Sequence, residues 1–271
     1  MPTDFVYLLG STLVFAGVFI AGLRRLRRGD AESRTGNMIP MAVAFGLQTA
    51  FLYVRGQYHG RCPITSVLEV VLFLCWAMVL LYFLAGPAFH LSLLGWFTSP
   101  LVAVLQGLAL FLPGLALPGM PAFPAVPEKP DMGGTVDALL ETHAGLSLIA
   151  YGAFGLAAVA GAMFLLQDHL LKHHRIRRLV FALPSIELLG RATGRIVLVG
   201  WLLLTAGLVV ALFMERTPGG AKLGVSIAVW VMYGGMLLLL AVSRLRPRQL
   251  ARAAVFGFLL PVVTLWLVTG R

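Results

Sequence analysis

Apolar residues run along this chain in stretches long enough to cross a lipid bilayer, and short arginine-rich clusters separate them. A helix needs about 20 such residues to traverse the hydrocarbon, where each backbone N–H and C=O must find its partner within the same segment. The pattern predicts eight membrane-spanning helices, at 5–23, 37–54, 65–85, 92–112, 138–166, 192–214, 223–243 and 250–268. The second is the shortest and carries Pro40 and Gln48. In the fifth, Ala153, Ala157 and Gly161 recur every four residues, a stripe of small side chains that lets another helix approach closely. The expected fold is an all-α polytopic membrane bundle in which residues 1–271 form a single integral membrane domain.

Composition agrees with this pattern. The chain is 59% hydrophobic and only 12% charged, too little charge to cover a soluble domain of 271 residues. No basic residue precedes the first apolar run, and Arg24, Arg25, Arg27 and Arg28 follow it, so the run reads as a span and not as a cleavable signal. With the first connection cytoplasmic, fifteen Lys and Arg residues fall inside and six outside. The positive-inside rule then places both termini on the outer side. The net charge of +10 expresses this topology and attraction to anionic headgroups, and nucleic-acid binding is not expected. Cys62 and Cys75, thirteen residues apart on or near one helix, lie roughly 20 Å apart and do not pair.

Two connections stand out. Residues 113–136 carry six prolines with apolar residues between them, and read either as a segment lying on the membrane or capping a cavity, or as a plain linker. In the inner connection 167–191, Gln167 to Arg175 continue the fifth helix as a basic, polar extension. There His169 and His173 share a face, as a metal pair or as a solvated helix end. Pro184 to Leu189 read as a short interfacial helix leading into the sixth span.

Ionisable residues inside spans are the candidates for chemistry, because each is costly in hydrocarbon unless paired or functional. Glu69 lies about one turn inside the third span, with Arg55, His59 and Arg61 as candidate partners, in a structural pair or on a substrate pathway. His143 opens the fifth span with Ser147 one turn further in. An imidazole at the rim of a bundle is either an interfacial hydrogen-bonding group or an axial ligand for haem iron.

Three segments carry a family resemblance. Gly60-Arg61-Cys62-Pro63, then Ser66 to Glu69 and Trp76, is similar to a Gly-His/Arg-Phe-Pro, Tyr-Glu-Ser/Ala and Trp pattern. His143, followed by Ser147, Tyr151 and Phe154, resembles a histidine leading a Ser-Tyr-Ala-x-Phe helix. Pro184 to Leu189, then Gly200 to Leu208, looks like a Leu-Asp-x-Leu helix and a Gly-Phe-x-Leu-Leu-Thr-x-Gly helix. In this order, over about residues 47–245, they resemble the membrane family of cytochrome c assembly and haem-handling proteins, nearest its HemX-like and YpjD-like branches. The resemblance implies haem as cofactor or cargo, with His143 as metal ligand. Glu69 and Arg61 would shape the adjacent cavity, and His59, two residues before Arg61 and also on the outer side, is a candidate second ligand by position and not by the family pattern.

Departures from the pattern qualify the role. Family members that attach haem carry a tryptophan-rich outer loop between the sixth and seventh spans, and Met214 to Lys222 contains no tryptophan. Where the family has a histidine at the end of the seventh span, this chain reads Ala241-Val242-Ser243-Arg244. The expected function is therefore haem binding, haem delivery or stabilisation of the cytochrome c assembly machinery, without attachment activity of its own. The alternative is a non-catalytic membrane regulator or scaffold of haem biosynthesis acting through its basic cytoplasmic loops. Membrane lipid, haem and other cytochrome c assembly or haem-biosynthesis proteins are the expected partners.

Overall fold

The computed structural model describes residues 3–28, 34–60, 62–64, 66–88, 93–111, 138–172, 184–214 and 220–262. Their elements are helices: α1 (Thr3–Arg28), α2 (Arg34–His59), α3 (Val67–Ala88), α4 (Leu94–Phe111), α5 (Ala138–Lys172), α6 (Ile186–Leu212), α7 (Gly220–Ala241) and α8 (Pro247–Gly257). Seven of these, α1 to α7, are long and apolar enough to cross a membrane. The protein is thus an all-α, multi-pass membrane protein. The eighth predicted span, 250–268, is covered by α8 at its start, and residues 263–271 lie outside the described residues.

The predicted spans fall on helices; α1, α2, α5 and α6 are longer than the spans predicted for them, and α4 is shorter. α2 extends the short second span at both ends and takes Pro40 in its second turn, with about five uninterrupted turns after it. α5 runs six residues past the predicted end at 166, as a polar extension. The short interfacial helix expected at 184–189 is instead the first part of α6. Ser185 is the N-cap, its hydroxyl accepting from the Leu188 N–H at 3.3 Å, so helix propagates from there without a break. At the far end of α7 the chain closes in a Schellman turn. The Arg244 N–H donates to Leu239 O and the Ser243 N–H to Leu240 O, each at 3.0 Å, and Ser243 is left-handed at φ 53°.

The chain divides into two compact units, Met1–Leu80 with Gly95–Val136, and Leu81–Leu94 with Asp137–Arg271. In the first, α1 and α2 pack along one another over a core of Leu8, Phe51, Leu52, Leu72, Ala109 and Leu110. Polar side chains are bonded within it. Ser11 Oγ donates to Ala44 O at 3.0 Å, Thr12 Oγ1 donates to Leu8 O at 2.8 Å, and Trp76 Nε1 donates to Thr49 Oγ1 at 2.9 Å. Each bond satisfies a group that lipid cannot.

In the second unit the most extensive packing is between α5 and α6. The small residues seen in the sequence make it possible. A Cβ at Gly200 would lie 2.7 Å from Phe154 Cε1 and 3.0 Å from Ala153 Cβ, so only glycine fits. At Gly161 a Cβ would lie 2.8 Å from the Ala251 carbonyl oxygen of α8. Phe154, buried at that level, stacks on Tyr233 of α7 with centroids 3.6 Å apart and planes at 4°.

Candidate functional site

His143 lies in the second turn of α5 and is 8% exposed. Its Nδ1 is 2.7 Å from the carbonyl oxygen of Gly207 on α6. A carbonyl only accepts, so the ring must donate from Nδ1, and in the neutral imidazole this leaves the lone pair on Nε2. Metal-binding histidines are oriented in this way, by a second hydrogen bond that fixes tautomer and ring plane. A carbonyl inside a helix can accept from His143 only if its own helix comes very close. Gly207 permits that approach: a Cβ there would lie 3.0 Å from Ser147 Oγ and 3.5 Å from the His143 carbonyl oxygen. Ser147 is itself buried.

Glu69 sits in the first turn of α3, in the other unit, and is 1% exposed. Ser66 begins the helix above it, its hydroxyl accepting from the Glu69 N–H at 3.2 Å. Arg55, one of the candidate partners of Glu69, is fully buried and forms an ion pair with Asp4, with Nε 3.0 Å from Oδ2 and both side chains at most 1% exposed. Asp4 is thus a second buried acid, missed in the sequence because it stands at the very start of the first apolar run. His59 closes α2, and Arg61 lies outside the described residues. His143 and Glu69 belong to different units; Glu69 and Arg61 join His143 in the candidate set through the family pattern, and His59 through its position in the sequence.

No group of three His, Cys, Asp or Glu suited to a metal ion occurs among the described residues. His169 is on α5 and His173 lies outside the described residues, so the predicted pair is half seen. The neighbouring Asp168 joins Lys172 at 2.9 Å and Arg248 of α8 at 3.2 Å. Cys62 and Cys75 are not joined in a disulfide, as their separation predicts.

Haem iron is commonly held by an axial imidazole, and Nε2 of His143, with its ring held by Gly207, has the right donor chemistry. At the end of the seventh span, where the sequence resemblance predicts a histidine, this chain has Ala241 to Arg244. That place is the Schellman turn at Ser243.

Comparison with known proteins places these features in a family. Residues 64–269 match the family model described as cytochrome c assembly protein, a range that holds Glu69, His143 and Gly207 and begins just after Gly60 to Pro63. The chain is 27% identical over 182 residues to protein HemX of Brevibacillus brevis, across 67% of this chain and 63% of that protein. It therefore spans less than two thirds of that relative's length. It is 25% identical over 134 residues to protein HemX of Bacillus subtilis, across 49% of this chain and 44% of that one. An uncharacterized 28.8 kDa protein from the nifR3-like 5' region of Azospirillum brasilense is 27% identical over 271 residues, 96% of this chain and 94% of its own. With the family model matched over most of the chain, on helices that can span a membrane and around the His143 motif, this protein belongs to the cytochrome c assembly protein family.

Proposed function

We propose that this protein is a haem-binding or haem-handling protein of the bacterial inner membrane, supporting cytochrome c assembly without attaching haem itself. The observation that carries the reading is the 2.7 Å bond from His143 Nδ1 to Gly207 O. It turns a histidine that is otherwise costly at a membrane rim into an oriented donor, with Nε2 set to meet iron. Bound haem would supply an iron centre able to take that ligand and a porphyrin to be passed on. The chain's own part is to hold the imidazole in one tautomer and to bury most of it against α6. His59, Arg61 and Glu69 complete the proposed haem-contacting set. The absence of tryptophan between Met214 and Lys222 supports a role in delivery or stabilisation over attachment.

The role is tested by deleting the gene in its own host and staining membranes for covalently bound haem. Lowered c-type cytochrome, restored by the wild-type chain and not by His143→Ala produced at equal level, is the expected outcome. Unchanged c-type cytochrome with a changed amount of a haem-biosynthetic enzyme would favour the regulator or scaffold reading.

A further inference from the structure

The second unit contains a cavity of about 1180 Å³ that neither His143 nor the rest of the proposed haem-contacting set lines. It lies between α6 and α7, with Pro247 and Leu250 of α8 and Phe164 of α5 at one end. This exceeds the roughly 300–1,000 Å³ of ordinary small-molecule pockets. Glycines hollow it: a Cβ at Gly235 would meet nothing within 4 Å. Its inner end is closed by Trp201 and Trp230, which stack with centroids 5.3 Å apart. Their N–H groups are turned away to partners, Trp201 Nε1 to Trp230 O at 3.2 Å and Trp230 Nε1 to Thr205 Oγ1 at 2.8 Å, so the indoles close the cavity with apolar surface.

The other end is electropositive. Arg191 and Arg195 line it, one helical turn apart. So do Ile186 and Pro247, the first helical residues of α6 and α8, which brings two helix N-termini with their partial positive charge to the same mouth. Glu187 is the one acid in the lining, 3.8 Å from Arg191 in an exposed pair of small energetic weight. From Arg191 to Trp201 is ten residues of helix, about 15 Å, which is the hydrocarbon depth of one leaflet, half of the ~30 Å core. The walls between are open to the membrane side, with Leu198, Val231 and Leu238 exposed. None of the lining residues is a histidine, cysteine, methionine, tyrosine or lysine, so the cavity offers haem iron no axial side chain.

We propose that this cavity is a binding site for one anionic glycerophospholipid, its phosphate at Arg191 and Arg195 and its acyl chains running to Trp201 and Trp230. Charge selects the headgroup, and the depth matches the tails. This lipid site does not depend on the haem reading, since it shares no residue with the His143 site.

The test uses the full chain in detergent, titrated with dioleoylphosphatidylglycerol or dioleoylphosphatidylcholine and followed by native mass spectrometry. One phosphatidylglycerol should be retained at least about tenfold more tightly than phosphatidylcholine, as expected for two arginines acting on one anionic head. Arg191→Gln with Arg195→Gln should abolish that preference, and Arg191→Lys with Arg195→Lys should keep most of it. Gly235→Trp, placed in open space, should block retention with the arginines intact. Phosphatidylglycerol with brominated chains should quench Trp201 and Trp230, read as signal lost in Trp201→Phe and Trp230→Phe, and Gly235→Trp should remove that quenching. Equal binding of both lipids, or quenching unaffected by Gly235→Trp, overturns the proposal. Displacement of phosphatidylglycerol by an equimolar amount of haem also overturns it, by assigning the cavity to a porphyrin. If the glutamine variants fail to fold, judged by helicity, the Gly235→Trp and lysine variants decide.

Discussion

Substituting Gly200 by alanine isolates how closely α5 and α6 must pack. In an unpacked helix this exchange stabilises by up to about 1 kcal/mol, because alanine is the better helix former. Here the new methyl would sit 2.7 and 2.9 Å from Phe154 Cε1 and Cδ1, and 3.0 Å from Ala153 Cβ. Neither neighbour yields cheaply. Ala153 Cβ is fixed to the backbone of α5, and the Phe154 ring lies flat on Tyr233 at 3.6 Å, so moving it also moves α7. Overpacking of this kind costs about 1–3 kcal/mol. The net result is destabilisation of about 1–2 kcal/mol, the small propensity gain being outweighed. Gly207→Ala is the internal control: its nearest neighbour is Ser147 Oγ at 3.0 Å, a hydroxyl that can rotate, and its remaining contacts are at 3.5 Å. Its effect should stay within about 1 kcal/mol of wild type, well below that of Gly200→Ala. Thermal unfolding in one detergent, followed by circular dichroism, ranks the two. In a double-mutant cycle, Phe154→Leu should recover part of the Gly200→Ala loss, with a coupling of at least about 0.5 kcal/mol. A Gly200→Ala protein that melts higher than wild type, as propensity alone would have it, refutes the packing account.

Other consequences follow from single contacts. Asp4→Asn or Arg55→Met removes one charge of a buried ion pair and should destabilise, by up to about 3–5 kcal/mol, while Asp4→Leu with Arg55→Met should fall well short of the summed single losses. The same unfolding assay reads all three. Ser243→Gly removes the strain of a left-handed L-residue and should raise stability by about 1 kcal/mol, seen as a higher unfolding midpoint. Trp76→Phe gives up the indole donor to Thr49 and should cost about 1 kcal/mol, with Thr49→Val adding little to it.

Much of the fold is legible because lipid imposes one rule on every span. A run of apolar residues long enough to cross must be a helix, so seven spans and the extended fifth helix can be read from spacing. The stripe Ala153, Ala157, Gly161 was legible for the same reason, since small residues at i, i+4 matter only where a backbone comes close. What escaped notice depends on partners far apart in the chain. The pair of Asp4 and Arg55 joins two helices, and a lone acid before an apolar run looks like an ordinary interfacial residue. The partner of His143 is a backbone carbonyl, which no side-chain pattern announces, and its only trace is the glycine at 207. The cavity over Trp201 and Trp230 is lined by residues of two helices, whose mutual register is not specified by sequence spacing within either one. The short helix expected at 184–189 failed on a local detail, for Ser185 caps a helix that has no reason to stop.

Absorption spectroscopy of protein purified from haem-replete membranes tests the central claim most directly. The account predicts a Soret band in wild-type protein, lost or shifted in His143→Ala and restored towards the wild-type position by added imidazole. His143→Ala should retain the wild-type helicity, so that loss of the band reports the ligand and not the fold. No Soret band in the wild type, or one of the same position and intensity in His143→Ala, contradicts it.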